Sequence, residues 1–266
     1  MRFLNLACGD HYVTSDLWEN CDFAPKSKSV RQVDLLNGLP YENNTFDLVY
    51  CSHFIEHIPR NEVLNFLREC IRVLKPNGMI RLVLPDFENI AREYINNIDK
   101  GEFLHAEFNI VEMIDQCTRN ESGGELLKWY ERTKLDSDLK TYIKLRTGYT
   151  YKDKRKKNNV FYRIQNLNIL KFKYKIQLMY TKVIVSILPK WYRVNHFSRT
   201  ATGEKHLWVY DYHCLSSILN RVGFHSVLKS DAHTSSNSLF PNFPLDIDEN
   251  RETRKGAESM YLEANK

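Results

Sequence analysis

Four short stretches carry residue types that can do chemistry. The apolar run Phe3–Leu6 closes on Ala7, Cys8, Gly9 and Asp10, a turn where a ligand can approach the backbone because Gly9 has no side chain. Asp22 ends a second run, about 12 residues beyond that turn, and a carboxylate so placed can accept hydrogen bonds from both hydroxyls of a ribose. The run Phe46–Ser52 ends on Cys51, Ser52 and His53, with Glu56 and His57 close behind. Asp86 follows a further run, and His206 stands in GEKHLWVYD. Asp86, His57 and His206 are the groups able to take a proton from an acceptor. Imidazole has the better resting pKa for a base at neutral pH, whereas Asp86 has the better-defined position because Pro85 fixes the backbone before it. Asp86 can equally cap the helix that follows it. The His and Cys residues show no metal-ligand spacing, so no metal is expected.

Elements that could hold these groups are legible as apolar runs closed by turns. Arg2–Ala7, Leu17–Cys21, Phe46–Ser52 and Met79–Leu84 suit strands buried on both faces of a parallel sheet. Ligands of such sheets bind beyond the carboxyl ends of the strands, where strand order reverses. The full GxGxxG of a phosphate-cradling turn is absent, which counts against a dinucleotide. Residues 11–17 are too few for a crossover helix. Val63, Leu67, Cys70, Ile71 and Leu74 predict a helix over Pro59–Leu74, stopped by Lys75-Pro76-Asn77-Gly78, where the chain turns. Further helices are predicted over Phe87–Asn97, Phe103–Ile114 and Leu126–Leu139, and from an Asp211 cap through Val222, with Gly223 as stop. Phe224–Lys229 and Ser259–Ala264 read as a closing antiparallel pair of strands.

The LNLACGD strand and turn, DLLNGLPYENNTFDLVYCSHFIEH and RVLKPNGMIRLVLPD together resemble the class I S-adenosylmethionine-dependent methyltransferases, of the methyltransferase type 11 kind. The Trp18-bearing run LWENCDFAP is similar to the second strand of a subfamily often linked to surface-glycan biosynthesis. The resemblance covers residues 1–97 and 206–266. It implies an α/β fold, a Rossmann-like seven-stranded methyltransferase sheet, mostly parallel with the last strand antiparallel. Residues 98–205 form a large, mainly helical insertion carrying the substrate or lid region. By the same resemblance S-adenosyl-L-methionine is the cofactor, held by Ala7, Cys8, Gly9 and Asp10. Asp22 would take its ribose, Asp34 and Leu35 its adenine, and Cys51, Ser52 and His53 its methionine part. The family more often has Gly where Ala7 stands, and an acid or His where Asn5 stands. Methyl transfer is an in-line displacement, so the protein mainly positions two reactants and removes a proton. No D/N-P-P-Y motif follows the Phe46–Ser52 strand, which argues against base N-methylation. The expected reaction is O-methylation of a sugar hydroxyl on a glycan or lipid-linked glycan. An RNA methyltransferase and a non-catalytic binding protein of the same fold are the alternatives.

Composition frames these expectations. The chain has 266 residues, 42% hydrophobic and 27% charged, enough for a full core in a globular protein. Six scattered cysteines, several inside apolar runs, suit reduced core residues of a cytoplasmic protein, and the first residues lack a signal-peptide layout. Charge is unevenly spread. Residues 140–193 hold 15 Lys or Arg against one acid, a net +14 within a chain of net +5, which leaves −9 for the rest. Aromatics interleave this basic arm, so a polyanion is the expected partner. Within it Phe172, Ile176, Met179, Val183 and Ile187 fall near one helical face, with Lys171, Lys175, Lys182 and Lys190 beside them. Such a helix can lie on an anionic membrane surface, here the inner face of the cytoplasmic membrane. Stacking on nucleic-acid bases is the weaker reading of the same arm. Its longest apolar stretch, Ile176–Leu188, is too short to span a bilayer.

Overall fold

Burial of all four residues suits β1 (Phe3–Leu6) to its place in the interior of a seven-stranded sheet. The computed structural model describes residues 1–134, 136–148 and 203–266, with a few positions between 176 and 200. The other strands are β2 (Trp18–Asp22), β3 (Arg31–Gln32), β4 (Phe46–Ser52), β5 (Leu74–Pro85), β6 (His225–Ser230) and β7 (Ser259–Asn265). Their order is β3-β2-β1-β4-β5-β7-β6. Strands β1 to β5 pair in parallel, and β7 runs antiparallel to both β5 and β6. This is the expected Rossmann-like sheet, mostly parallel with an antiparallel last strand. Its order reverses between β1 and β4, so the ligand crevice belongs there.

One face of the sheet is covered by helices. Apolar residues at helical spacing give α1 (Val63–Val73) a buried stripe of Val63, Phe66, Leu67, Cys70 and Val73. Beside it, α6 (Tyr212–Val222) starts on the predicted Asp211 cap, which accepts from the Cys214 N–H, and stops at Gly223 with φ +112°. After α2 (Phe87–Asp99) the insertion begins with α3 (Phe103–Thr118), α4 (Gly124–Arg132) and α5 (Ser137–Thr147), which gather round Phe108, Trp129, Leu139 and Ile143. Two local expectations need correction. The predicted single helix Leu126–Leu139 is two helices, because Asp136 accepts from the Asp138 and Leu139 N–H groups and starts a new one. Lys75–Gly78 is no turn between elements. Leu74 already pairs with Phe46, the register slips before Leu48 meets Met79, and Asn77 (φ +61°) takes up the irregularity inside β5.

The opposite face lacks a helix between β1 and β2, as residues 11–17 are too few. A C-terminal loop fills the gap: Phe240 and Phe243 pack on Trp18, and Phe243 also on Phe3, with ring centroids 5.3–6.4 Å apart. Arg81, fully buried on β5, fastens this loop. Its guanidinium meets Asp246 at 2.7 Å and Glu263 at 2.6 Å and donates to the Asp231 and Thr234 carbonyls, while the Tyr50 hydroxyl donates to Asp246 at 2.6 Å. All six cysteines are free. Among the described residues no helix is long and apolar enough to cross a membrane. Most of the basic aromatic arm, including Lys171, Phe172, Lys175, Lys182 and Lys190, lies outside the described residues; Ile176, Met179, Val183 and Ile187 are described and exposed.

Candidate functional site

A cavity of about 670 Å³ opens at the switch point, a size that takes a cofactor-sized ligand. Ala7, Cys8, Gly9, Asp10 and His11 form one wall, and Tyr50, Ser52 and His53 at the end of β4 form the floor. The turn after β1 is held from below. The Asn5 amide donates to the His11 carbonyl at 3.1 Å and to Asn20 at 3.2 Å. Asp22 accepts from the Gly9 N–H at 2.9 Å and from the Ala24 N–H at 2.8 Å. Gly9 itself has φ +54°, and no atom lies within 4 Å of where a Cβ would stand, so backbone is open to a ligand there. Two non-glycine residues share this left-handed conformation at the cavity edge, Ala7 (φ +52°) and His53 (φ +50°). Strained backbone at the ends of adjacent strands is a mark of functional turns.

The far wall comes from distant sequence. Gly148 (φ +68°) caps α5, and the free Leu145 and Arg146 carbonyls accept from the Ala257 and Glu258 N–H groups at 2.9 and 3.0 Å. Gly256 lies against this helix end so closely that a Cβ would overlap the Arg146 carbonyl and the Gly148 amide. This docking sets Lys255 and Lys144 on the cavity wall. Lys255 is half-buried and, among the described residues, makes no hydrogen bond or ion pair. Burial lowers its pKa, although Glu258, Glu56 and Asp246 pull it up.

Burial, with Glu112 adding repulsion, pushes the neighbouring Glu258 carboxyl up to about 8, against weaker pulls from its own backbone, Arg146 and Lys255. The folded protein therefore keeps a proton there that the unfolded chain releases near its ordinary value. Such a group contributes stability that is fully present below the unfolded pKa and lost as pH rises through the folded one. The urea midpoint is expected to fall as pH goes from about 5 to about 9. In Glu258→Gln that decline should flatten, and an unchanged decline would remove Glu258 as its source.

Of the expected cofactor residues, Ala7, Cys8, Gly9, Asp10, Ser52 and His53 line the cavity. Asp22 stands behind Gly9, and Cys51 is buried in the core. Asp34 accepts from the Leu36 N–H and the Asn37 amide, with Leu35 in the core; neither residue lines the cavity. The three expected bases are all engaged elsewhere. Asp86 caps α2 through the Glu88 and Asn89 N–H groups and pairs with Lys229 at 3.0 Å. His57 donates from Nδ1 to the Lys205 carbonyl at 2.9 Å, and His206 Nε2 meets the Gln116 amide at 2.8 Å. None of the three lines the cavity. Lys255 was missed, because a lysine in the polar stretch RETRKGAES carries no local signal.

Residues 4–82 match the family described as a methyltransferase domain. That stretch runs from β1 into β5 and holds both cavity-forming strand ends. Among curated proteins, "Probable methyltransferase ltbC" of Aspergillus luteorubrus is 40% identical over 57 residues, 21% of this chain and 20% of that protein. Demethylmenaquinone methyltransferase of Bacillus pumilus is 41% identical over 59 residues, 21% of this chain and 24% of that protein. The chain thus spans only a fifth to a quarter of the length of these relatives. Among solved structures, a SAM dependent methyltransferase from Archaeoglobus fulgidus aligns over 100% of this chain and 86% of its own, at 13% identity and TM-score 0.40. An S-adenosylmethionine dependent methyltransferase from Mesorhizobium loti aligns over 100% and 90%, at 12% identity and TM-score 0.40.

Proposed function

We propose that the chain is an S-adenosylmethionine-dependent methyltransferase whose cofactor binds in the cavity between the ends of β1 and β4. The observation that carries this reading is the turn after β1. Gly9 leaves open backbone at the switch point, and Asp22 at the end of β2 is tied to it, all within the stretch that matches a methyltransferase domain. The residues fit the cofactor: a turn without the phosphate-binding glycines suits a ligand without phosphates, and Asp22 keeps lone pairs for ribose hydroxyls. When bound, the cofactor supplies an activated sulfonium methyl group. Ser52 and His53 on the floor bound its reactive end, and the Lys255 wall faces the acceptor. An acceptor hydroxyl must lose its proton, and Lys255, whose charge burial disfavours, is the base we assign to it.

The acceptor reading is a sugar hydroxyl on a glycan or lipid-linked glycan. It is supported by the resemblance of the Trp18 strand, and the lipid-linked form by the exposed Ile176, Met179, Val183 and Ile187. Incubation with labelled cofactor and separated glycan, lipid and RNA fractions tests it; label in RNA alone would transfer the basic arm to nucleic-acid binding. Co-sedimentation with anionic vesicles at low salt tests the membrane surface. For the cofactor site, Asp22→Ala is expected to weaken S-adenosylhomocysteine binding about 10-fold or more, the worth of one charged hydrogen bond. Calorimetry showing unchanged affinity would remove Asp22 from the site.

A further inference from the structure

We infer that Glu56, His57 and His206 form a binding site for one divalent cation of the Zn²⁺ or Co²⁺ type. The site joins the loop after β4 to the point where the insertion returns to the core. One ligand atom from each of the three residues lies within 4.8 Å of the others. None of them lines the cavity, and the cluster sits behind its floor residue His53, next to the proposed cofactor pocket.

Glu56 carries the argument. Its side chain is 2% exposed, and neither carboxylate oxygen has a hydrogen-bond partner among the described residues. Three imidazoles surround it: His53 Nδ1 is 3.3 Å and His206 Nε2 3.9 Å from Oε1, and the His57 ring lies 4.8 Å from that of His206. A buried carboxylate without hydrogen bonds is costly unless it is paired or ligates a metal. His57 is already prepared as a ligand. Donation from Nδ1 to the Lys205 carbonyl leaves the Nε2 lone pair as its remaining acceptor, which is how metal-bound histidines are oriented. At His206 the Gln116 amide meets Nε2 at 2.8 Å and would be displaced by the cation. Two imidazoles and one carboxylate are a donor set for zinc-type ions, whose ligand atoms sit about 3.3 Å apart when bound. Side-chain shifts of about an ångström reach that spacing from the distances observed. Of the nearby cations, Arg119 is paired with Asp115 and Glu204, and Lys255 is also drawn to Glu258 and Asp246. Backbone bonds already hold the two segments in place: the Leu207 N–H donates to the Glu56 carbonyl at 2.7 Å and the His206 N–H to the Gln116 carbonyl at 2.9 Å. A cation here would fasten the insertion to the core.

The test is titration of the full chain, first stripped with chelator, with Co²⁺ and Zn²⁺, followed by calorimetry and visible absorption. One Co²⁺ per chain is expected, with ligand-field bands and no thiolate charge-transfer band. Glu56→Gln and His206→Asn should each weaken binding about 100-fold or more with unchanged circular dichroism. If Glu56→Gln does not fold, His206→Asn and His57→Asn decide. Failure of both ions to bind overturns the site. So do affinities within about 3-fold of wild type in the folded variants, and so does a thiolate band, which would move the metal to cysteines such as Cys117.

Discussion

Lys255→Met is expected to lower turnover about 10²- to 10⁴-fold, the usual worth of a positioned base, while S-adenosylhomocysteine binding stays within a few-fold of wild type. The expectation follows from where the packing leaves the amine. Docking of residues 256–258 on the end of α5 sets Lys255 on the cavity wall, half-buried and, among the described residues, in no hydrogen bond or ion pair. Burial disfavours the ammonium, so the neutral amine that can take a proton is more accessible than in an exposed lysine. Lys255→Arg separates two roles. It keeps the positive charge but cannot act as a base near neutral pH. An Arg variant as impaired as the Met variant supports proton removal. An Arg variant restored to near wild-type turnover would mean that Lys255 only holds an anionic group, and the base would have to be sought at His53, the imidazole on the cavity floor.

Arg81→Met should have the largest effect on stability, a loss of about 3–5 kcal/mol in urea unfolding, the cost of breaking a buried ion pair by removing one partner. Arg81 is 0% exposed, and its removal leaves Asp246 and Glu263 facing each other without the cation between them. It also frees the Asp231 carbonyl and leaves the Thr234 carbonyl only the Ser230 hydroxyl, so the loop that packs on Trp18 loses its anchor. The same loop continues into residues 248–255 on the cavity wall, so cofactor affinity should fall with stability. Non-additivity is the sharper check. Asp246→Asn should destabilise the wild type, by weakening the pair and the Tyr50 bond, yet recover part of the loss in the Arg81→Met background. A single-variant loss under about 1 kcal/mol would show that the triad contributes little beyond packing.

The local patterns of the sequence were enough for the central sheet and for one half of the cavity. Mostly apolar runs ending in turns marked β1, β2, β4 and β5, because a strand buried on both faces is largely apolar and a ligand-facing end must turn. Gly9 and Asp22 were visible for the same reason, each being set by its distance from a strand end. The Asp211 cap and Gly223 stop followed from single-residue backbone chemistry. Asp86 was seen as both cap and base; in the fold its oxygens serve the cap and Lys229. Nothing local distinguishes those uses.

Tertiary structure alone decided the other half. Ala7 and His53 take a positive φ that is uncommon for any non-glycine residue, since the sheet fixes both strand ends round one crevice. Lys255 reaches the cavity because two carbonyls at the end of α5 capture the Ala257 and Glu258 amides, a contact between segments far apart in the chain. Glu56 and His57 show no metal-ligand spacing by themselves, and His206 joins them only because it arrives from the far end of the insertion. Periodicity and turn chemistry report what a residue does with its near neighbours. Which distant polar groups share a buried volume depends on how the whole chain closes, and in this protein that closure sets the place of Lys255, the Arg81 anchor and the Glu56, His57 and His206 cluster.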